Sequence, residues 1–380
     1  MRIKRAFRYL LLAAVLLLCA CGQDEAPVNE TQGSSESRES YGSESAGLSS
    51  EQNASEEADT PPAPGMVRSR LTNEWIREEL ADRRPIAVMI PNEYKATPHY
   101  ALSEASVLYE APVEGRMTRL MAVFEDWEPL EKIGNIRSVR SYYVYWAFEW
   151  DACIIHAGQP FFVNDLLSQP LTETLSESKA PDSQAFYRDP DRSMPHNAYA
   201  TGKGILAAMQ KKNYSLTYHD YAASQHFSFA SEKAPNTLEQ YGESAQDATY
   251  IDMSSCYPLT RCYFTYNPED GLYYRYQHLS SGTDGPHLDG ADGEQLAFRN
   301  ILVQNIKYED LGEGYLVFQC HDTTEDGWFF TNGRGIHVTW EKTADFSPTR
   351  FYDDDGNEVM LNTGKTMICV VQKGSNFTFR

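Results

Sequence analysis

The chain runs to 380 residues, with 54 acidic against 33 basic side chains, a formal charge of −21 and a hydrophobic share of 41%. Length and apolar content of that order support a folded core. The acidic balance argues against a nucleic-acid partner and against docking on anionic lipid by charge.

Arg2, Lys4, Arg5 and Arg8 open the chain with no acid among them, and Tyr9 to Ala20 is a nearly unbroken apolar run. Together they make the n-region and h-region of a signal peptide over residues 1–20. A spanning helix needs about 20 apolar residues, more than this run holds before it passes into Ser, Glu and Gly. Leu18-Cys19-Ala20-Cys21 resembles the lipobox of bacterial lipoproteins, which implies a diacylglyceryl thioether on Cys21 and cleavage just ahead of it. The alternative is an ordinary secretory signal cut after Ala20. Lipidation predicts one partner, the membrane, contacted through the N-terminal lipid alone, and a place on the extracytoplasmic face of the cell membrane, since two or more acyl chains anchor stably. Residues 21–70 read as an acidic Ser/Glu/Gly tether, too poor in large apolar side chains to fold. A flexible coil of roughly 45 residues spans on the order of 35–40 Å.

Thr72 to Leu80 predicts a short helical lead-in. Pro85 to Ile90, Val107 to Tyr109, Leu120 to Phe124 and Ala152 to Ile155 are continuous apolar runs, the pattern of strands covered on both faces. Helical stretches at Ser141–Trp150 and Asn197–Lys211 fall between or after them, so residues 82–225 predict an N-terminal α/β domain, a mixed sheet packed by helices. The polar stretch from Ser228 to Asp247 reads as a linker. Beyond it, Asp-Gly pairs begin at Asp270, Asp284, Asp289, Asp292, Asp326 and Asp355, between short β-branched and aromatic runs, which is a hairpin signal. Strands at Ile301–Val303, Tyr315–Phe318, Ile336–Trp340 and Met367–Val371 predict a β-rich C-terminal domain over 250–375. The expected class is therefore mixed α/β or α+β.

After the anchor, Cys153, Cys256, Cys262, Cys320 and Cys369 remain, an odd number that does not form a disulfide framework. Cys256 and Cys262 could pair across a turn; otherwise all five read as small core residues. No metal-ligand spacing of Cys, His or Glu occurs, so no metal and no cofactor are expected.

Several polar residues stand just after predicted strands: Asn92 after Ile90, Glu110 and Glu114 after Tyr109, and His156-Ala157-Gly158 after Ile155. Ligands in open α/β sheets bind beyond the carboxyl ends of strands, so these residues could line one crevice, although loops are polar for other reasons too. Arg137 and Arg140 flank Ser138 immediately before an aromatic helix, where they could fork a carboxylate or phosphate with help from the helix amides, or else neutralise Glu110 and Glu114.

Arg84 to Ile90, Tyr109-Glu110-Ala111 with Glu114-Gly115 and Thr118-Arg119, Gly134 to Arg140, His156-Ala157-Gly158 and Pro195-His196-Asn197 together resemble the YerB-like lipoproteins, a family defined by a two-part domain of unknown function. Asn300 to Gln304, Thr331 to Lys342 and Asp353 to Thr366 match its C-terminal part, and the resemblance spans about residues 82–372. It implies a two-part extracytoplasmic lipoprotein but brings no settled activity, substrate or catalytic residue. Many relatives carry a second glycine and a serine after the His-Ala-Gly turn, where this chain has Gln159 and Pro160, so a serine nucleophile there is not supported. The candidate binding residues are Asn92, Glu110, Glu114, Arg119, Arg137, Ser138, Arg140, His156, His196 and Asn197.

Other catalytic templates fail. Gly-x-Ser-x-Gly is absent, Ser176-Glu177-Ser178-Lys179 lacks its partner motifs, and Asp353-Asp354-Asp355-Gly356 reads as a hairpin turn and not a calcium loop. Gly285-Pro286-His287-Leu288-Asp289 is a further polar cluster. The leading expectation is a non-catalytic envelope binding or regulatory protein, whose ligand is anionic or carbohydrate-like, a cell-wall polymer, or an envelope protein. The alternatives are a cell-wall polymer hydrolase or transferase using Glu110 and His156, and a scaffold without a ligand. An open cleft favours binding or catalysis, whereas buried and mutually paired side chains favour the scaffold.

Overall fold

Ile86–Asn92 (β1), Val107–Pro112 (β2) and Thr118–Phe124 (β3) are buried along their whole length, as apolar runs must be when both faces are covered. They form the centre of the large sheet in the computed structural model, which describes residues 60–223, 225–312 and 314–380. Cys153–His156 (β4) and Thr174–Ser176 (β5) extend the sheet on one side. Tyr250–Asp252 (β6), Tyr263–Asn267 (β7) and Leu272–His278 (β8) belong to a second sheet. Asn300–Ile306 (β9), Asp322–Thr331 (β10), Arg334–Lys342 (β11) and Thr366–Gln372 (β12) return to the first. Its order is β11-β10-β9-β12-β2-β3-β1-β4-β5, with short strands Gln246–Asp247 and Arg350–Tyr352 beside β11.

The register gives this sheet a direction. β12 is parallel to both β9 and β2, β1 is parallel to β4 and β4 to β5, while β3 runs antiparallel to β1 and β2. Asn92, Pro112, His156, Ser176, Ile306 and Gln372 therefore end their strands at one common edge. The start of β3, with Thr118 and Arg119, lies at the same edge.

Alternation sorts the side chains onto two faces. Ala87, Met89, Tyr109, Met121 and Ile154 share a core with Tyr142, Tyr143, Trp146 and Phe148 of the helix Ser141–Glu149 (α1). Val88, Ile90, Leu108, Leu120 and Ile155 share the other with Ile205, Ala208 and Met209 of the helix Gly202–Lys211 (α2), and with Ile251, Phe264 and Tyr273 of the second sheet. Strand dominates and helices are few, a β-rich form of the mixed α+β class. Both sequence halves supply strands to the large sheet, because β12 from near the C-terminus lies between β9 and β2. The polar stretch from 228 to 247 also docks: Ser228–Phe229 pairs with Met360–Leu361 and Gln246–Asp247 with β11.

Three local expectations need correction. Thr72–Leu80 is not a helix: Asn73 takes a left-handed φ of 59°, Trp75–Arg77 pairs as a strand with Met66–Arg68, and only a 3-10 turn follows at Glu78–Leu80. Asn197–Lys211 is helical only from Gly202, because Ala198–Ala200 pairs as a strand and the Thr201 hydroxyl then accepts the Gly204 amide as an N-cap. Among the Asp-Gly pairs, Asp270-Gly271 turns β7 into β8, but Asp284-Gly285 and Asp326-Gly327 lie within strands. Gly327 is there for closeness, since a Cβ would stand 2.6 Å from the Val303 carbonyl. The β10–β11 hairpin turns instead at Asn332-Gly333, with φ of 49° and 73°, the left-handed pair that such a tight turn requires. The five described cysteines are all free, and Cys256 is the least buried of them.

Candidate functional site

The strand alternation that builds the cores also divides the candidate residues. Asn92 and Glu110 follow Ile90 and Leu108 in phase and face the second sheet, away from α1. Glu110 is fully buried there. Its carboxylate accepts from Arg275 Nη2 at 2.7 Å, Asn92 Nδ2 at 2.7 Å, Thr118 Oγ1 at 2.6 Å and Thr260 Oγ1 at 3.4 Å. Arg275 projects from β8, so this ion pair joins the two sheets.

Arg275 continues into a chain of histidines whose tautomers the geometry fixes. It donates through Nη1 to His287 Nδ1, His287 Nε2 lies 2.8 Å from His99 Nδ1, and His99 Nε2 lies 2.8 Å from the Pro91 carbonyl. A carbonyl can only accept, so His99 carries its proton on Nε2 and His287 donates its own Nε2 proton to His99 Nδ1. Every ring nitrogen in the chain is satisfied with both rings neutral. Burial holds His99 down to about 3 and, with the Arg275 charge, holds His287 well below its ordinary range.

On the α1 face of the same edge stands a different arrangement. Arg140 grips Glu114 in a bidentate pair, Nη2 to Oε2 at 2.6 Å with Nε on the other oxygen. Burial works against the Glu114 charge, but the Arg140 bonds outweigh it and hold this carboxyl below its usual range. Arg119 is 5% exposed and donates to the Ser138 carbonyl, while its Nε has no partner. Burial, then the neighbouring Arg140 charge, lower it to about 10. Arg137 is half-buried, its Nε also without a partner, and Glu93 is the carboxylate nearest in influence. Neither Arg119 nor Arg137 makes an ion pair among the described residues.

The remaining candidates frame this group. Ser138 donates its hydroxyl to the Ala157 carbonyl, and the Val139 amide donates to the Gly158 carbonyl, which fixes the loop before α1 against the turn after β4. Gly158 has a φ of 86°, and a Cβ there would press the Ser138 hydroxyl at 3.2 Å. His156 is buried, donates Nδ1–H to the Gly158 carbonyl at 2.9 Å and leaves Nε2 an acceptor without a donor; burial holds it down to about 4. His196 Nε2 lies 3.3 Å from Glu93, which that contact holds below its usual range, and Asn197 accepts from Arg188 at 2.7 Å. Arg119, Arg137, Ser138, Arg140, Glu114 and His156 thus lie on one face of the edge, with His196 and Asn197 on an adjoining loop. Asn92 and Glu110 do not join them.

Sequence reading missed Arg275, His99, Glu93 and Arg188. The inward positions of β8 are Tyr273, Arg275 and Gln277, all fully buried. Inward polar residues reverse the usual hydrophobic signal of a strand. Cavities of about 330 and 380 Å³ lie elsewhere, the second lined by Pro112, Thr118, Cys256 and Gln372 where β2 and β12 end. Arg119, Arg137 and Arg140 line neither; Arg119 and Arg140 are buried and Arg137 is partly exposed.

The chain belongs to the YerB-like family. The model described as "Protein of unknown function (DUF3048) N-terminal domain" matches residues 71–215, and its C-terminal counterpart matches 252–368. The relative named "Putative lipoprotein YerB", from Bacillus subtilis (strain 168), is 26% identical over 302 residues, which cover 76% of this chain and 86% of that protein. The crystal structure of YerB from the same species superposes with a TM-score of 0.67 at 22% identity, over 80% of this chain and 96% of that one, and so shares the fold. Cys21 lies outside the described residues, and no described helix is long and apolar enough to cross a membrane.

Proposed function

We propose that this protein is an extracytoplasmic binding lipoprotein, held to the membrane by a lipid on Cys21, whose carboxyl-edge arginines receive an anionic group. A cell-wall polymer or an acidic segment of an envelope protein presents such a group. The observation that carries the reading is Arg119: a guanidinium 5% exposed, without a carboxylate partner, in a chain of net charge −21. Burying a charge is costly unless it is paired. Other buried cations here are paired, Arg84 with Glu173, Arg275 with Glu110 and Lys342 with Glu149. Arg119 is the exception, and a bound anion supplies the missing partner.

The hydrolase alternative draws less support. Glu110 is fully buried and engaged by four donors, and Glu114 is committed to Arg140. The scaffold alternative accounts well for Glu110, Arg275, His287 and His99, which we assign to holding the two sheets together, but it leaves Arg119 unexplained. Thermal melts in increasing inorganic phosphate test the binding reading. The wild type should gain several degrees, and Arg119→Lys or Arg137→Lys should gain less, because lysine keeps the charge and loses the forked geometry. No phosphate-dependent gain in the wild type would contradict it.

A further inference from the structure

Exposed apolar side chains gather around the arginine edge. Phe161 is 80%, Met194 72% and Leu311 59% exposed. Phe161 stands in the loop after β4, a short step past the Gly158 turn that holds Ser138, and its ring meets Phe162 at 5.6 Å. Leu311 caps the hairpin formed by Tyr308–Asp310 and Leu316–Phe318. That hairpin reaches the site twice. A Cβ on Gly314 would lie 3.9 Å from Glu114 Cβ, and Tyr315 sits edge-on to Phe162 at 5.2 Å. Met194 precedes His196, the neighbour of Glu93. The three most exposed of the large apolar side chains thus stand in segments that border the arginine edge.

We infer that the ligand of this edge is a phosphodiester-headed amphiphile, captured as a single molecule, with the diester oxygens on Arg119 and Arg137 and the start of an acyl chain over Phe161 and Leu311. The inference rests on the anion-binding reading of the arginines. A tetrahedral phosphate offers oxygens in several directions, so one such group can accept from guanidinium groups that approach it from different sides. An acyl chain accounts for the apolar rim, which a free anion does not. Docking on a whole anionic bilayer is disfavoured by the charge of −21, and the separate apolar side chains fall short of the continuous surface that a stable protein interface buries.

The test uses the mature chain with Cys21→Ser, so that no lipid of its own competes, titrated with dihexanoyl phosphatidylglycerol below its micelle concentration, with glycerophosphoglycerol as the head alone, and with dihexanoylglycerol as the tail alone. The whole amphiphile should bind at least about tenfold more tightly than the head, from the apolar area it removes from water, and the tail alone should not bind. Phe161→Ser should erase most of that difference while leaving head binding unchanged, and Arg137→Gln should weaken both. Equal affinity for head and whole amphiphile would overturn the amphiphile and leave the anion site standing. Binding of the tail alone with the same affinity would also overturn it, and binding of neither phosphodiester would overturn both readings.

Discussion

Arg275 and Arg119 are both buried guanidinium groups, and their surroundings assign them opposite roles. Arg275 neutralises Glu110 and feeds the His287–His99 chain, so Arg275→Met should strand a buried carboxylate at a cost of about 3–5 kcal/mol. Arg119 has no carboxylate to strand. Arg119→Met should leave the unliganded protein as stable as before or more so, as expected where a site holds charge for function at the expense of stability. Chemical denaturation of the two variants measures both, and a large loss from Arg119→Met would return that residue to structure. The histidines set the acid limit. His156 and His99 are held neutral, at about 4 and about 3, against an unfolded value of 6.5. The unfolded chain therefore takes up protons first as pH falls below 6.5, and stability is full above that pH and lost on the way down to 4. The slope is about 1.4 kcal/mol per pH unit for each such histidine, and His156→Leu should remove one share. Melts between pH 7 and 4.5 check this, with a flat profile counting against it. At this scale the sequence singled out Arg137, Ser138 and Arg140 as candidates by local spacing. It could not reveal Arg275, whose partner Glu110 lies 165 residues away across a sheet interface.

Apolar runs such as Ile86–Ile90 were legible as strands because nothing polar interrupts them, and α1 was legible from its unbroken aromatic stretch. Strand order was not legible, since parallel neighbours are chosen by packing between segments far apart in the chain. β12 shows the consequence. It pairs with β2 through Thr366 to Cys369 and with β9 along its whole length, joining the first half of the chain to the second. A fragment ending at residue 225 would uncover β2, whose six residues are all buried. That fragment should aggregate or show no cooperative melt, whereas residues 60–380 should melt sharply. A sharp transition in the short fragment would mean that the N-terminal half folds alone. Turn chemistry misled in both directions: Asp-Gly was read as a hairpin at Asp284 and Asp326, which lie within strands, and the turn at Asn332-Gly333 was not singled out.

At the scale of the whole molecule, the proposal is of an acidic protein with a local basic edge, anchored through a lipid on Cys21. The lipid is expected to supply all of the membrane affinity, so Cys21→Ala should release the protein from membranes or leave it unprocessed, and a mature product lacking acyl mass in the wild type would contradict the anchor. The basic edge carries the functional claim, and it is most directly tested by the side-chain Nε–H resonances of Arg119 and Arg137 during a phosphate titration, because both have a partnerless Nε and no carboxylate, whereas Arg275, whose Nε also lacks a partner, is paired with Glu110. Both resonances should move in a saturable way with one shared affinity while that of Arg275 stays fixed. Resonances of Arg119 and Arg137 that remain unmoved at saturating phosphate would contradict the anion site.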